Sequence, residues 1–232
     1  MMSGTRPLIA GLLVFTFRHV SKPNESEESM LGDLVHGWRV FTSFKWVWVV
    51  TLAFSFIVMV LRGAEEVMGP VLALERYGGA AGWAFVLVFM SAGLLVGAVV
   101  GSRIRVRRPM LFGMLVCLTL PVWLVCLAFA LPIGVVAAGA FAWGLAIELF
   151  MVLWFTALQT HVPREALSRV MAYDAMGSLM FGPIGLALAG PLVAVVGLQA
   201  GFLVAAAVAL VAILASLLSS SVRNLRTVTH ID

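Results

Sequence analysis

Long apolar runs alternate with short polar segments along most of the chain. The runs cover about 46–67, 81–102, 110–131, 133–158, 170–196 and 201–219. Each run approaches or exceeds the ~20 residues that a helix needs to cross ~30 Å of hydrocarbon. The pattern predicts an all-α membrane protein with a domain of six transmembrane helices over residues 46–221.

The segments outside this domain are shorter and more polar. Residues 1–20 contain an apolar stretch that is too short to span, so we expect the end of a preceding helix or an interfacial segment. Residues 21–45 are expected to form a cytoplasmic linker, and residues 222–232 a cytoplasmic tail. Within the linker, apolar residues at helical spacing predict an amphipathic helix on the membrane surface. They are Leu31, Leu34, Val35, Trp38 and Phe41.

The composition supports a lipid environment and argues against catalysis. The chain is 62% hydrophobic and 11% charged, whereas a soluble domain is about half apolar and roughly a quarter charged. Lipid must therefore cover apolar surface that an interior of this size cannot hold. Cys117 and Cys126 lie nine positions apart on one predicted helix, facing opposite sides, and the histidines lie outside the apolar runs. We predict no metal site, no cofactor and no enzyme activity.

The basic residues predict the orientation of the chain. Thirteen of the fifteen Lys and Arg residues fall in the amino-terminal arm, in two of the connections and in the tail. The most basic connection carries Arg103, Arg105, Arg107 and Arg108. Such an asymmetry places both termini in the cytoplasm. Because topology accounts for the net charge of +4, we expect no nucleic-acid partner, although the basic loop could also bind anionic lipid headgroups.

Small residues mark two of the predicted helices as packing surfaces. Glycine recurs at every fourth position of the second run, and glycine and proline are frequent in the fifth. The residues concerned are Gly93, Gly97, Gly101, Gly182, Pro183 and Gly185. In lipid, a stripe of small residues lets two helix backbones approach closely, and a proline inside a helix predicts a kink. A second interpretation of the fifth run is a moving gate.

Several charged residues lie within the apolar runs. Arg62 can pair with Glu65 or Glu66 one turn further on, near the expected outer end of the first span. We interpret these three as an ion pair at the outer interface, with a gate as the alternative. Asp174 enters the membrane about one turn into the fifth span. It is expected to pair with Arg169 or with the basic loop.

Glu148 is the acid that the spacing places deepest in the membrane. It lies ~22 Å from the outer end of the fourth run, where a lipid-facing acid costs a few kcal/mol or more. We therefore expect it to face the interior of the helix bundle, either as a pathway group or as a hydrogen-bonded structural residue. Phe155 and Gln159 share its helix face towards the cytoplasmic mouth, with Thr156 to one side.

The end of the fourth run and the start of the fifth resemble a known family. The matching residues are Trp154, Thr156, Leu158, Gln159, Val162, Pro163, Leu167, Ser168, Arg169, Val170, Tyr173 and Asp174. In this pattern the chain resembles the segment joining the tenth and eleventh helices of bacterial major facilitator superfamily exporters, in the branch of siderophore and macrolide exporters. Two further stretches resemble the hairpin between the seventh and eighth helices of the family and the loop between its eighth and ninth helices. They are GPVLALERYGGAAGWAFV and RVRRPML. Phe155 departs from the polar or acidic residue that relatives often carry, and the basic loop lacks the acidic residue of the family.

The resemblance implies a transport function, of which this chain would supply one half. The family has twelve helices in two halves, with the substrate site between the halves near the midplane. This chain resembles the carboxy-terminal half. That implies a secondary transporter of a bacterial inner membrane, exporting a hydrophobic drug or small metabolite against proton entry. Glu148, Phe155, Thr156 and Gln159 would lie on the pathway, and an amino-terminal half would be the partner.

Two other interpretations stay open from the residues. The chain could be a non-transporting six-helix membrane protein, either a structural or regulatory partner or an inactive remnant. It could also be a homodimeric half-transporter, with two copies joined through the face of Gly93, Gly97 and Gly101.

Overall fold

A computed structural model describes residues 27–227 of the chain. The predictions for residues 1–20, for the first part of the linker and for the end of the tail lie outside the described residues. The chain divides into two compact units at His36 and Gly37. The first helix, α1 (Glu27–Ser43), crosses that boundary, and all the following helices belong to the second unit.

Six helices of the described chain are long and apolar enough to cross a membrane. They are α2 (Lys45–Arg76), α3 (Ala80–Arg103), α4 (Pro109–Ala128), α5 (Ile133–His161), α6 (Arg164–Val196) and α7 (Leu198–Leu218). A single turn, α8 (Ser220–Arg223), follows them. The predicted all-α fold with six transmembrane helices is confirmed for this part of the chain.

Helix α2 continues beyond the end that its apolar run predicts. It consists of three consecutive pieces, namely Lys45–Gly63, a π-helical turn over Ala64–Met68, and Gly69–Arg76. The run ends at Val67 because charged side chains lower the local hydropathy. Charged side chains do not interrupt backbone hydrogen bonding, so the helix continues past them to Arg76, with Pro70 close behind the π-helical turn.

The helices of the second unit pack as two close pairs. Helix α3 packs along α5, and α2 packs along α6, whereas α5 and α6 barely contact each other. Helix α7 packs on α4 and α2, and α4 packs on α5, so these two helices connect the pairs. Large apolar side chains fill the space between them, with Trp123, Trp143, Phe150 and Phe202 fully buried. The pairs leave α3 and α6 with many exposed apolar side chains.

The glycine stripe of α3 forms the contact with α5. A Cβ atom added at Gly93 would lie 2.1 Å from the carbonyl oxygen of Phe141, and one at Gly97 would lie 2.6 Å from that of Leu145. Gly101 meets the side chain of Val152 in the same way. The stripe is thus occupied within one chain. It is not available to join two copies, which corrects the expected route to a homodimer.

A second close approach of backbones joins α6 to α2. A Cβ atom at Gly185 would lie 1.8 Å from the carbonyl oxygen of Met59, so glycine is required there. Gly182 is buried, and a Cβ atom added there would lie 3.6 Å from the Cγ atom of Arg62. Pro183 is exposed, and α6 runs through it as one helix. The kink and the gate at this position stay predictions.

The end of α1 packs against α6. A Cβ atom at Gly37 would lie 2.8 Å from the Tyr173 ring. Phe41 is buried beside the same tyrosine, with 5.8 Å between ring centroids. Trp38 touches Tyr173 as well but leaves 53% of its surface exposed. The predicted helix therefore forms, and its attachment to a membrane surface stays a prediction.

Candidate functional site: polar groups within the transmembrane helices

Glu148 lies midway along α5. The helix extends ~22 Å from Ile133 to Glu148 and ~20 Å from there to His161. The half-buried side chain leaves the helix where α3 passes, because a Cβ atom at Gly97 would lie only 2.9 Å from the Cβ of Glu148. The missing side chain of Gly97 therefore leaves room for Glu148 at the seam between the two helices.

The carboxylate of Glu148 has no partner within residues 27–227. None of the hydrogen bonds or ion pairs among these residues reaches it. An unpaired acid in the middle of an apolar helix is costly in lipid, so such groups face water, another protein surface or a bound ligand. The geometry therefore leaves this acid free to interact with something outside the described residues.

The three other predicted pathway residues follow Glu148 towards the end of α5. Phe155 is 42% exposed, and Gln159 is exposed one turn further on. Thr156 is exposed too, and its hydroxyl donates to the carbonyl of Val152 at 2.7 Å. These side chains lie on an open surface of the described chain. Their role in a pathway stays a prediction.

Asp174 connects three helices. Its Oδ1 atom accepts a hydrogen bond from the Thr51 hydroxyl of α2 at 2.6 Å, and its Oδ2 atom accepts one from the Trp154 indole N–H of α5 at 3.0 Å. These neutral donors replace the expected ion pair, since Asp174 forms none within the described chain. Arg169 is exposed one turn earlier on α6.

The polar contacts around Asp174 extend along α2 and α6. The Ser55 hydroxyl lies 2.9 Å from the carbonyl oxygen of Thr51 and 2.8 Å from that of Gly177, so it links the two helices. The indole of Trp154 meets the ring of Trp46 edge-on, at 5.4 Å between centroids. The sequence analysis did not predict that Thr51 and Ser55 take part in these contacts. Two hydroxyl residues one helical turn apart in an apolar span could have indicated a polar contact between helices.

Arg62 forms an ion pair with Glu66, one of the two partners expected for it. Both side chains are exposed on the described chain, whereas Glu65 is half-buried in the π-helical turn. The depth of this pair in a bilayer and its role as a gate stay predictions.

The basic loop between α3 and α4 is exposed and free of ion pairs within the described chain. It carries Arg103, Arg105, Arg107 and Arg108. Among the same described residues, no three His, Cys, Asp or Glu side chains come together as metal ligands would.

Fold and composition together define a multi-pass membrane protein with ionisable groups inside its spans. Comparison with known proteins adds one relative, the multidrug efflux pump Tap of Mycolicibacterium fortuitum. The chain is 30% identical to this pump over 207 residues, which cover 84% of the chain and 48% of the pump. The chain thus spans about half the length of the relative it matches. No family model matches the chain, and no solved structure matches it significantly.

Proposed function

We propose that the chain is the carboxy-terminal half of an export-type secondary transporter of the bacterial inner membrane. In this proposal it moves a hydrophobic drug or small metabolite outwards, coupled to proton entry, and has no enzyme activity. The similarity to half of an efflux pump supports the transport class. The resemblance to the second half of the major facilitator superfamily supports the assignment to that half.

The observation that carries the proposal is the carboxylate of Glu148. It lies midway along an apolar helix and has no partner within residues 27–227. An acid inside a span marks an ion or substrate path by default, because lipid would otherwise exclude it. In a complete transporter this acid would take up the entering proton, with Thr156 and Gln159 at the cytoplasmic mouth. Phe155 would make the path less polar between Glu148 and this mouth.

The proposed amino-terminal half can be sought in the DNA around the gene. The proposal expects the DNA immediately upstream of Met1, read in all frames, to encode six further spanning segments. A partner half encoded elsewhere would also satisfy it. If neither is found and the chain alone moves no substrate, the non-transporting alternative stands. A homodimer would need a surface other than the glycine stripe of α3, and crosslinking in native membranes would detect it.

The role of Glu148 is tested by transport in the complete assembly. We expect Glu148→Gln, at equal expression, to lower the uptake of a hydrophobic fluorescent dye into inverted vesicles, which is the export direction, by about tenfold or more, because removing one proton-transfer group commonly costs about 100-fold or more in rate. It should also flatten the dependence of efflux on pH. The matched control is Glu165→Gln, which alters an exposed acid at the start of α6. Unchanged efflux and pH dependence in Glu148→Gln would remove the acid from the mechanism.

A further inference from the structure

A cavity of about 1060 Å³ opens at one end of the helix bundle. It lies between the loop that joins α3 to α4, the end of α5 and the chain that follows α8. Its polar lining includes Arg105, Arg107, Arg108 and Arg226, together with Thr156 and Thr160. We refer to it as the basic pocket.

The positive charge of the basic pocket is uncompensated. Within residues 27–227, the lining contains four arginines and no aspartate or glutamate, and none of the four forms an ion pair. Like charges gathered in a concave site raise the local potential and attract an anion. The pocket therefore has the electrostatics of an anion-binding site.

Hydrogen bonds hold the rim of the pocket together. The backbone N–H of Thr227 donates to the carbonyl of Arg107 at 3.2 Å, and its hydroxyl donates to the carbonyl of Val106 at 2.7 Å. The Nε2 atom of His161 lies 3.0 Å from the carbonyl oxygen of Arg226. Three distant parts of the sequence are thereby fixed around one cavity. Because these segments are already ordered, the entropic cost of binding a ligand is lower.

Part of the pocket lining is apolar. Ile104, Val152 and Leu153 line it from the ends of α3 and α5. Both helices are apolar spans, so the pocket lies where such spans end and a lipid headgroup layer would begin. A lining with both basic and apolar side chains fits an amphiphile with an anionic head.

We propose that the basic pocket binds a phosphate ester, supplied by the headgroup of an anionic phospholipid. Guanidinium groups match the oxygens of a phosphate through paired N–H donors. The arginines must supply these donors, because the Thr156 and Thr160 hydroxyls already donate to carbonyls of their own helix, at 2.7 and 2.6 Å. The site does not depend on transport by the chain.

The test is lipid binding to the purified full chain, followed by native mass spectrometry. Phosphatidylglycerol is compared with phosphatidylcholine of identical acyl chains. We expect Arg105→Gln, Arg108→Gln and Arg226→Gln together to weaken phosphatidylglycerol binding about ten- to hundredfold, since each arginine near anionic lipid contributes about one factor of five. Binding of phosphatidylcholine should stay the same.

A matched control removes the same charge elsewhere. Arg39, Arg164 and Arg223 are exposed and lie outside the pocket. Their joint replacement by Gln should leave phosphatidylglycerol binding within about twofold, because none of the three lines the pocket and exposed charges are screened by salt. An equal loss in both triple variants would overturn the proposal in favour of diffuse surface charge. The triple Lys variant of the pocket arginines keeps the charge but loses the paired N–H donors, so its binding should fall between that of the wild type and that of the Gln variant. Its remaining binding shows that the loss in the Gln variant is not misfolding.

A second arm distinguishes the source of the phosphate. Inorganic phosphate alone is titrated against the wild-type chain and the pocket variant, with thermal unfolding as the readout. Weak stabilisation by phosphate with clear preference for phosphatidylglycerol supports the lipid. Stabilisation by phosphate that needs the pocket arginines, without any preference for phosphatidylglycerol, overturns the lipid source. Binding of neither ligand overturns the site itself.

Discussion

The Nε1 atom of Trp154 lies 3.0 Å from the Oδ2 atom of Asp174, and this hydrogen bond joins α5 to α6, two helices that otherwise barely contact. The other carboxylate oxygen accepts from Thr51 on α2. One side chain therefore ties the α3–α5 pair to the α2–α6 pair. A rearrangement of the two pairs against each other would have to break this contact.

Replacing Trp154 by Phe should destabilise the fold measurably. The substitution keeps an aromatic ring against Trp46 and Phe150 but removes the N–H that Asp174 accepts. Loss of the hydrogen bond to this buried carboxyl group should lower the free energy of unfolding by about 0.5–3 kcal/mol, in addition to the cost of lost ring volume. Denaturant-induced unfolding in detergent micelles measures the change.

Trp123 provides the matched control for this substitution. It is fully buried, and its Nε1 atom has no hydrogen-bond partner in the described chain. Trp123→Phe therefore removes similar volume without removing a hydrogen bond, so its cost reports packing alone. If Trp154→Phe costs no more than Trp123→Phe, the hydrogen bond to Asp174 contributes nothing to stability.

The six spans could be predicted because lipid imposes a length on each apolar run, and the structure changes them by only a few residues at most ends. The largest difference is in α2, which continues from Val67 to Arg76, and α6 begins six residues before its predicted run. Arg62, Glu65 and Glu66 break the hydropathy pattern there, but helical hydrogen bonding does not depend on side-chain polarity. Hydropathy therefore located the span and misjudged its end.

The partners of Asp174 could not be predicted from local patterns. Thr51 is 123 residues away in sequence, and only the packing of α2 on α6 brings it within hydrogen-bond distance. Spacing along a helix identifies which residues share a face but not which helix that face meets. The same limit applies to Glu148. The sequence predicted that Gly97 lies on a packing surface, but it did not predict that this surface meets α5 beside Glu148.

The seam between α3 and α5 predicts a contrast between two glycines. Gly93→Ala should destabilise the fold by about 1–3 kcal/mol, because the new methyl group would lie 2.1 Å from the carbonyl oxygen of Phe141 and the helices must separate. Gly134→Ala is the control, since nothing lies within 4 Å of its Cβ position. Alanine favours a helix over glycine by about 1 kcal/mol, so this variant should be neutral or more stable. Equal melting temperatures for both variants would contradict the close packing of α3 on α5.

The distribution of basic residues predicts which loops face the cytoplasm. In a background without Cys117 and Cys126, Glu75→Cys at the end of α2 should react with a membrane-impermeant maleimide added to intact cells. Glu165→Cys at the start of α6 should react only after the cells are opened. Both positions are exposed, so reactivity reports the side of the membrane and not burial. Labelling of the two cysteines from the same side would contradict the six-span topology, and exchanged sides would reverse the orientation.

The coupling energy of the Arg62–Glu66 ion pair reports whether the pair lies in water or in the hydrocarbon of the bilayer. Both side chains are exposed in the described chain, and exposed pairs one helical turn apart contribute about 0.3–0.5 kcal/mol. A double-mutant cycle with Arg62→Gln and Glu66→Gln should therefore give a small coupling energy that falls as salt is added, as for a pair in contact with water. A coupling of several kcal/mol that is insensitive to salt would place the pair within the hydrocarbon instead. If the single variants also leave stability unchanged but alter efflux in the complete assembly, the pair acts as a gate, because a purely structural pair would change both together.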